Sequence, residues 1–155
     1  MIIDIKFKNH KSFKNENLFS MEATDTISKE ENVVYVNDYL RVLKVGVIYG
    51  ANASGKSNFL SLLFLLMKFV GGVGPLGRVG SVGFLYQPFL LSPDGQSAKS
   101  EVTIKFVAAN GVVYEYFIRY THSQVIDESV YRYEEEAKTL ICTIARSEER
   151  RVGKE

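Results

Sequence analysis

One stretch constrains this chain more than any other: Gly50-Ala51-Asn52-Ala53-Ser54-Gly55-Lys56-Ser57. It fits the pattern G-x-x-x-x-G-K-[ST]. The run before it, "RVLKVGVIYG", is apolar and β-branched, the texture of a central strand. The run after it, residues 56–70, is rich in Leu and Phe and has neither Gly nor Pro, so it predicts a helix. Glycines in such a strand-to-helix turn let the backbone curl until successive N–H groups point inward, which makes a cradle for phosphate. The helix that follows adds its own unpaired N–H groups and the positive end of its dipole. In this reading Lys56 reaches the outer phosphates of a triphosphate, and the Ser57 hydroxyl is a ligand for Mg²⁺. The competing interpretation is an ordinary glycine-rich turn. The strand and helix patterns on either side favour the cradle.

The flanking segments set the fold class. "IIDIKFK" alternates Ile3, Ile5 and Phe7 against Asp4, Lys6 and Lys8, the two-residue period of a half-buried strand. "HKSFKNEN" reads as a polar turn and "LFSMEA" as the returning strand of a hairpin. Residues 24–41 are mixed and polar, with a short strand around residues 33–36. The helix of residues 56–70 is apolar nearly all round, which predicts burial on several sides. "GGVGPLGRVGSVG" has six glycines in thirteen residues and reads as a loop, flexible at the surface or able to move over a ligand. Then "EVTIKFVA" and "VVYEYFIRY" alternate on either side of Asn110-Gly111. That is a hairpin signal whose two turn positions are expected at positive φ. "SQVIDESVYRY" and "TLICTI" continue the antiparallel meander. The whole is an α/β arrangement: one helix after the cradle, then strands.

Bulk properties remove other classes. A net charge of +1 gives no argument for a nucleic-acid or acidic partner. The single cysteine, Cys142, closes no disulfide within the chain and suits a reducing compartment. Charges threaded through "MIIDIKFKNHKSF" are not those of a signal peptide. The longest apolar run, residues 59–70, is too short to span a bilayer. A cytoplasmic location without membrane attachment is expected. No N-K-x-D tetrapeptide follows, as a small GTPase requires, and no parallel strand–helix alternation follows, as a small-molecule kinase requires.

"FKNHKSFKNE" resembles the opening strand and turn of SMC and DNA-repair ATPase heads, in which a phenylalanine, a basic residue, a serine and another phenylalanine recur. "GANASGKSNFL", including Asn58, is close to what prokaryotic AAA-family ATP-binding proteins of the abortive-infection and OLD-nuclease kind carry. The resemblance covers residues 1 to about 141. It implies a P-loop NTPase fold, specifically the N-terminal lobe of an ABC/SMC-type ATPase head with an antiparallel β-meander. It implies ATP and Mg²⁺ as cofactors and a nucleotide site at Gly50, Ala51, Asn52, Ala53, Ser54, Gly55, Lys56, Ser57 and Asn58. It further implies a homodimer of heads closing on two nucleotides, with hydrolysis driving a switch coupled to a nuclease, a toxin or DNA. Lys11 is either a residue that approaches the phosphates or a solvated turn lysine. A Q-loop glutamine is expected, with Gln87, Gln96 and Gln124 as open alternatives. Two other readings stand beside this one: a nucleotide-binding module without hydrolysis, and a transport ATPase subunit.

Two look-alikes are set aside. "VIDE", residues 125–128, has only two apolar residues before Asp127, too few for the buried strand that delivers a Walker B aspartate and glutamate. It reads as a meander strand with solvent-facing acids. "LLSPDGQ", residues 90–96, is an interrupted version of the ABC signature and reads as a loop. His10 and His122 fall on predicted turns, apart from any metal cluster. With no convincing signature or Walker B, residues 1–145 read as an incomplete lobe, and no catalytic residue is assigned. Such a lobe alone is expected to bind nucleotide without turning it over. Residues 146–155, "RSEERRVGKE", break the alternation and read as a foreign or disordered tail. They resemble runs translated from adapter or vector DNA at the ends of truncated sequences; a natural charged tail is the alternative. The run has no apolar period to bury. Deleting residues 146–155 is therefore expected to leave the melting midpoint unchanged, and a fall of several degrees in a thermal scan would show that the tail packs.

Overall fold

The computed structural model describes residues 1–24, 29–70, 86–134 and 137–145. The glycine-rich run of residues 71–83 and the tail of residues 146–155 lie outside the described residues. In chain order the elements are β1 (Ile2–Lys8), β2 (Asn17–Ser20), β3 (Val33–Tyr35), β4 (Arg41–Leu43), α1 (Lys56–Val70), α2 (Pro93–Ser97), β5 (Ser100–Val107), β6 (Val113–Tyr120), β7 (Val125–Glu134) and β8 (Ala137–Ala145). Six strands form one antiparallel sheet in the order β2-β1-β5-β6-β7-β8, and β3 and β4 form a separate pair. The sheet is therefore a hairpin, β1–β2, annealed to a four-strand meander, with the cradle segment and α1 inserted between them in sequence.

Strand alternation decides which residues make the core. Ile5 and Phe7 of β1, Val102 and Ile104 of β5, and Tyr116, Ile118 and Tyr120 of β6 form one buried cluster with Phe59, Leu62, Leu65 and Leu66 of α1. Ile5 lies opposite Ile104 and Phe7 opposite Val102, so the helix sits across a continuous apolar stripe. On the opposite face Ile3, Val42 and Val113 make a smaller core with Met21, Val36 and Leu40 packed against it. Aromatic contacts tie the hairpin to the start of the helix. Phe59 packs against Phe7 (centroids 5.8 Å apart) and Phe19 (4.8 Å), and Phe13 meets Phe7 edge-on at 4.9 Å.

Four expectations are corrected. First, the predicted central strand before the loop pairs only over Arg41–Leu43. Val45, Val47 and Tyr49 are 70%, 80% and 89% exposed, because among the described residues no neighbouring strand offers its backbone there. Second, α1 is buried on one side rather than several. Leu60, Phe64 and Met67, spaced i, i+4, i+7, face outward. Third, "LLSPDGQ" contains the short helix α2. Ser92 caps it by accepting from the Gly95 N–H at 3.2 Å, and Pro93, with φ preset for a helix, occupies its first turn. Fourth, the Asn110-Gly111 hairpin forms, but only Gly111 takes positive φ (78°). Gly111 N–H donates to Ala108 O and Ala108 N–H to Val112 O, the pattern of a type I turn closed by a left-handed glycine. The single-face packing of α1 gives a direct test. Leu62→Ala, at a fully buried position, is expected to cost about 2–5 kcal/mol in denaturant unfolding, whereas Leu60→Ala should change stability by less than about 0.5 kcal/mol.

Candidate functional site

The loop between Gly50 and Ser57 stands at the N-terminal end of α1, largely exposed, with Gly55 buried beneath it. Two backbone features shape it. Ala53 and Gly55 take positive φ, 65° and 97°. Gly55 is also crowded: a Cβ there would lie 3.0 Å from Phe13 Cζ and 3.3 Å from Ser12 Oγ, so both the conformation and the space call for glycine. A Cβ on Gly50 would meet Ser54 Oγ at 2.8 Å, so a side chain there would require the Ser54 hydroxyl to turn away.

The Lys56 ammonium is folded back into this loop. Its Nζ donates to Gly50 O at 2.8 Å and Ala51 O at 2.7 Å, with Ser54 Oγ at 3.5 Å. A cation is thus held at the loop mouth by neutral carbonyls. The first helical hydrogen bond runs from Phe59 N–H to Gly55 O at 2.9 Å, so the amides of residues 55–58 precede the ladder at the positive end of the helix. Ser57 is exposed in that first turn. This donor set, one ammonium with backbone amides and a hydroxyl, fits a polyphosphate with a divalent cation.

The turn after β1 is docked against the loop. Asn9 and Lys11 take positive φ, 54° and 49°, an uncommon conformation for residues with side chains. Hydrogen bonds hold the turn in this shape. Asn9 Nδ2 donates to Ala98 O and Asn9 Oδ1 accepts from Phe89 N–H, both at 2.9 Å. Ser100 Oγ donates to Asn9 O at 2.7 Å, and Lys11 N–H donates to Gln87 O at 2.7 Å. From the turn, Ser12 Oγ accepts from Asn58 Nδ2 at 2.8 Å. His10 Nε2 lies 3.0 Å from Ser61 Oγ, which itself donates to Asn58 O at 2.7 Å. The structure therefore brings the loop residues together with Asn58 and places the turn carrying Lys11 beside them. Asn58 spends its side-chain amide on the turn.

The other sequence candidates fall elsewhere or are already engaged. Gln87 meets the turn through its carbonyl, Gln96 donates its side-chain amide to Leu90 O, and the Gln124 carbonyl accepts from Thr121 N–H. "VIDE" lies on β7. Its acids are partnered on the sheet rather than simply solvent-facing: Arg119 Nη1 contacts Asp127 at 2.7 Å and Tyr116 O–H donates to Glu128 at 2.8 Å. Burial and that carboxylate push the Tyr116 phenol well above its ordinary range. Among the described residues no group of His, Cys, Asp and Glu is arranged to hold a metal ion. No described helix is long and apolar enough to cross a membrane. Sequence reading missed His10, which is 1% exposed rather than a solvated turn residue. Its alternation within "KFKNHKSF" is broken by the left-handed residues around it, so no periodicity signalled its burial.

Desolvation, with the Lys11 charge second, holds the His10 imidazole down to about 4, against a weaker opposing contribution from the Asn58 backbone. The unfolded chain takes up a proton near pH 6.5 that the folded chain refuses until about pH 4. His10 thus carries no penalty above pH 6.5, and a growing one as pH falls toward 4. Relative to His10→Phe, the wild type is expected to lose about 2–3 kcal/mol of unfolding free energy between pH 7 and pH 4.5, read from urea titrations at both values.

A helix opened by a glycine-lysine loop and packed on an antiparallel sheet is an α/β arrangement. A family model for the AAA domain of AbiEii-toxin type, Type IV TA system, matches residues 46–155, and the chain belongs to that family of nucleotide-binding ATPase domains. A solved SMC ATPase structure, from work on ATP-driven dimerization and DNA-stimulated activation, is 21% identical, with 89% of this chain and 71% of that chain covered and a TM-score of 0.43. No curated protein matches.

Proposed function

We propose that the residues 50–57 loop is a Walker A cradle for ATP with Mg²⁺. The observation that carries this reading is the Lys56 ammonium, gathered by Gly50 O and Ala51 O in the mouth of a loop that opens a 15-residue helix. Phosphate oxygens are stronger partners for an ammonium than neutral carbonyls, so Lys56 is poised to exchange one set for the other. Gly50 and Gly55 shape the loop, the amides of residues 55–58 at the start of α1 face the phosphates, and Ser57 supplies a hydroxyl to the metal. The bound Mg²⁺ would neutralise charge on the phosphates.

In the complete protein this site would belong to an ATPase whose heads dimerise around nucleotide and switch a nuclease, a toxin or a DNA-engaging partner. Supporting this, the surfaces flanking the loop are apolar and exposed: Val45, Val47 and Tyr49 on the segment that enters it, and Leu60, Phe64 and Met67 on α1. Such patches mark surfaces that pack against other protein. The residues described here supply positioning and one lysine, while the acids of β7 are already engaged. Binding without turnover is therefore the activity proposed for residues 1–145.

Calorimetry with Lys56→Ala is expected to show a roughly 10- to 100-fold loss of ATP affinity in a folded protein, since one charge-assisted contact is removed. Ser57→Ala should weaken binding more with Mg²⁺ than without it. Unchanged ATP binding by Lys56→Ala would sink the assignment. Phosphate release above the Lys56→Ala background, abolished by Glu128→Gln, would overturn the binding-only reading.

A further inference from the structure

We propose that His10 is a positioning residue for the nucleotide site, registering the turn after β1 on the first turns of α1 through Ser61. The proposal rests on the cradle reading above. Its basis is a closed ring of side chains. Ser61 Oγ has one hydrogen, which it donates to Asn58 O at 2.7 Å. With that hydrogen on Asn58 O, the 3.0 Å contact with His10 runs from His10 Nε2–H to Ser61 Oγ, and the proposal assigns the imidazole this tautomer. Asn58 Nδ2 closes the ring by donating to Ser12 Oγ at 2.8 Å. Two turn residues, His10 and Ser12, thus grip two helix residues, Ser61 and Asn58, directly after Ser57. Lys11 lies between the two grips, and Phe13 lies under Gly55.

The tautomer has a consequence. It leaves His10 Nδ1 as a buried acceptor with no hydrogen-bond partner among the described residues. Such an atom costs about 1–3 kcal/mol, a penalty that a residue serving only to fill the core would not carry. A phenylalanine would occupy the buried position without that penalty. What histidine adds is the Nε2–H donor to Ser61. Without that donor the turn loses one of the two side-chain grips described between it and α1, Ser12–Asn58 remaining, and its register on the helix loosens.

The test uses the full chain and measures MgATP affinity by calorimetry beside thermal melting. His10→Phe is expected to melt within a few degrees of wild type, yet to bind MgATP about 3- to 10-fold more weakly, the value of one lost hydrogen bond. His10→Gln, whose amide nitrogen falls where Nε2 lies, should restore affinity to within about twofold. His10→Asn, whose amide nitrogen falls where Nδ1 lies, should not. Adding Ser61→Ala to His10→Phe should cost nothing further, because both break one link. His10→Phe binding within twofold of wild type, equal rescue by Asn and Gln, or additive losses would each overturn the proposal. If His10→Phe fails to fold, the Gln and Asn variants with Ser61→Ala decide the question alone. Absence of MgATP binding by the wild type would instead remove the cradle reading itself.

Discussion

One face of one helix packs on one face of one sheet, and the rest of this lobe depends on that contact. Phe59, Leu62, Leu65 and Leu66 are spaced to reach β1, β5 and β6 together. Because Phe59 is locked between Phe7 and Phe19, the N-terminus of α1 has a fixed place above the sheet. The loop that opens the helix inherits that place. The phosphate site proposed for this loop needs backbone donors that do not reorganise when the ligand arrives, and the helix that carries them is fixed by a hydrophobic contact some residues away.

The turn after β1 answers a second requirement, that of holding strained backbone still. Asn9 and Lys11 occupy left-handed conformations at a cost of order 1–3 kcal/mol each. The side chain and carbonyl of Asn9, the hydroxyl of Ser100 and the carbonyl of Gln87 leave them no alternative. Strain therefore sits where the chain must pass close under Gly55, and the cost is met by hydrogen bonds to β5 and to the segment before α2. The same residues that look like a polar turn in the sequence are, in the fold, among its most buried: Asn9 is 2% and His10 1% exposed.

Local pattern explains most of what was legible. Strict alternation in β1, β5 and β6 announced both their strand character and their buried residues, and the loop motif announced itself through two glycines with distinct steric reasons. What was hidden depends on neighbours. The run before the loop has the composition of a central strand, but a strand exists only where a partner backbone lies alongside, and composition cannot supply one. The outward side of α1 is as apolar as the inward side, so sequence could not tell which would be covered. Gly111 signalled a hairpin correctly, yet the turn type followed from the number of residues between the paired Val107 and Val113. The ring through His10 joins residues 51 positions apart, beyond the reach of any local period.

The position of β1 between β2 and β5 has a consequence in time. Its pairings with β5, from Lys8 opposite Glu101 to Ile2 opposite Phe106, span 93 to 104 residues of chain. At a synthesis rate of about 5–20 residues per second, the first hairpin waits roughly 5–20 s on the ribosome before its partner strand exists. A two-stranded hairpin is marginal in water by itself; beyond near contacts such as Phe7–Phe13, Ile5 and Phe7 meet their buried cluster only once α1, β5 and β6 have been made, and Ile3 meets its own only with Val42 and Val113. The loop of residues 50–57 is thus threaded between the two halves of a sheet that join only after it has been made.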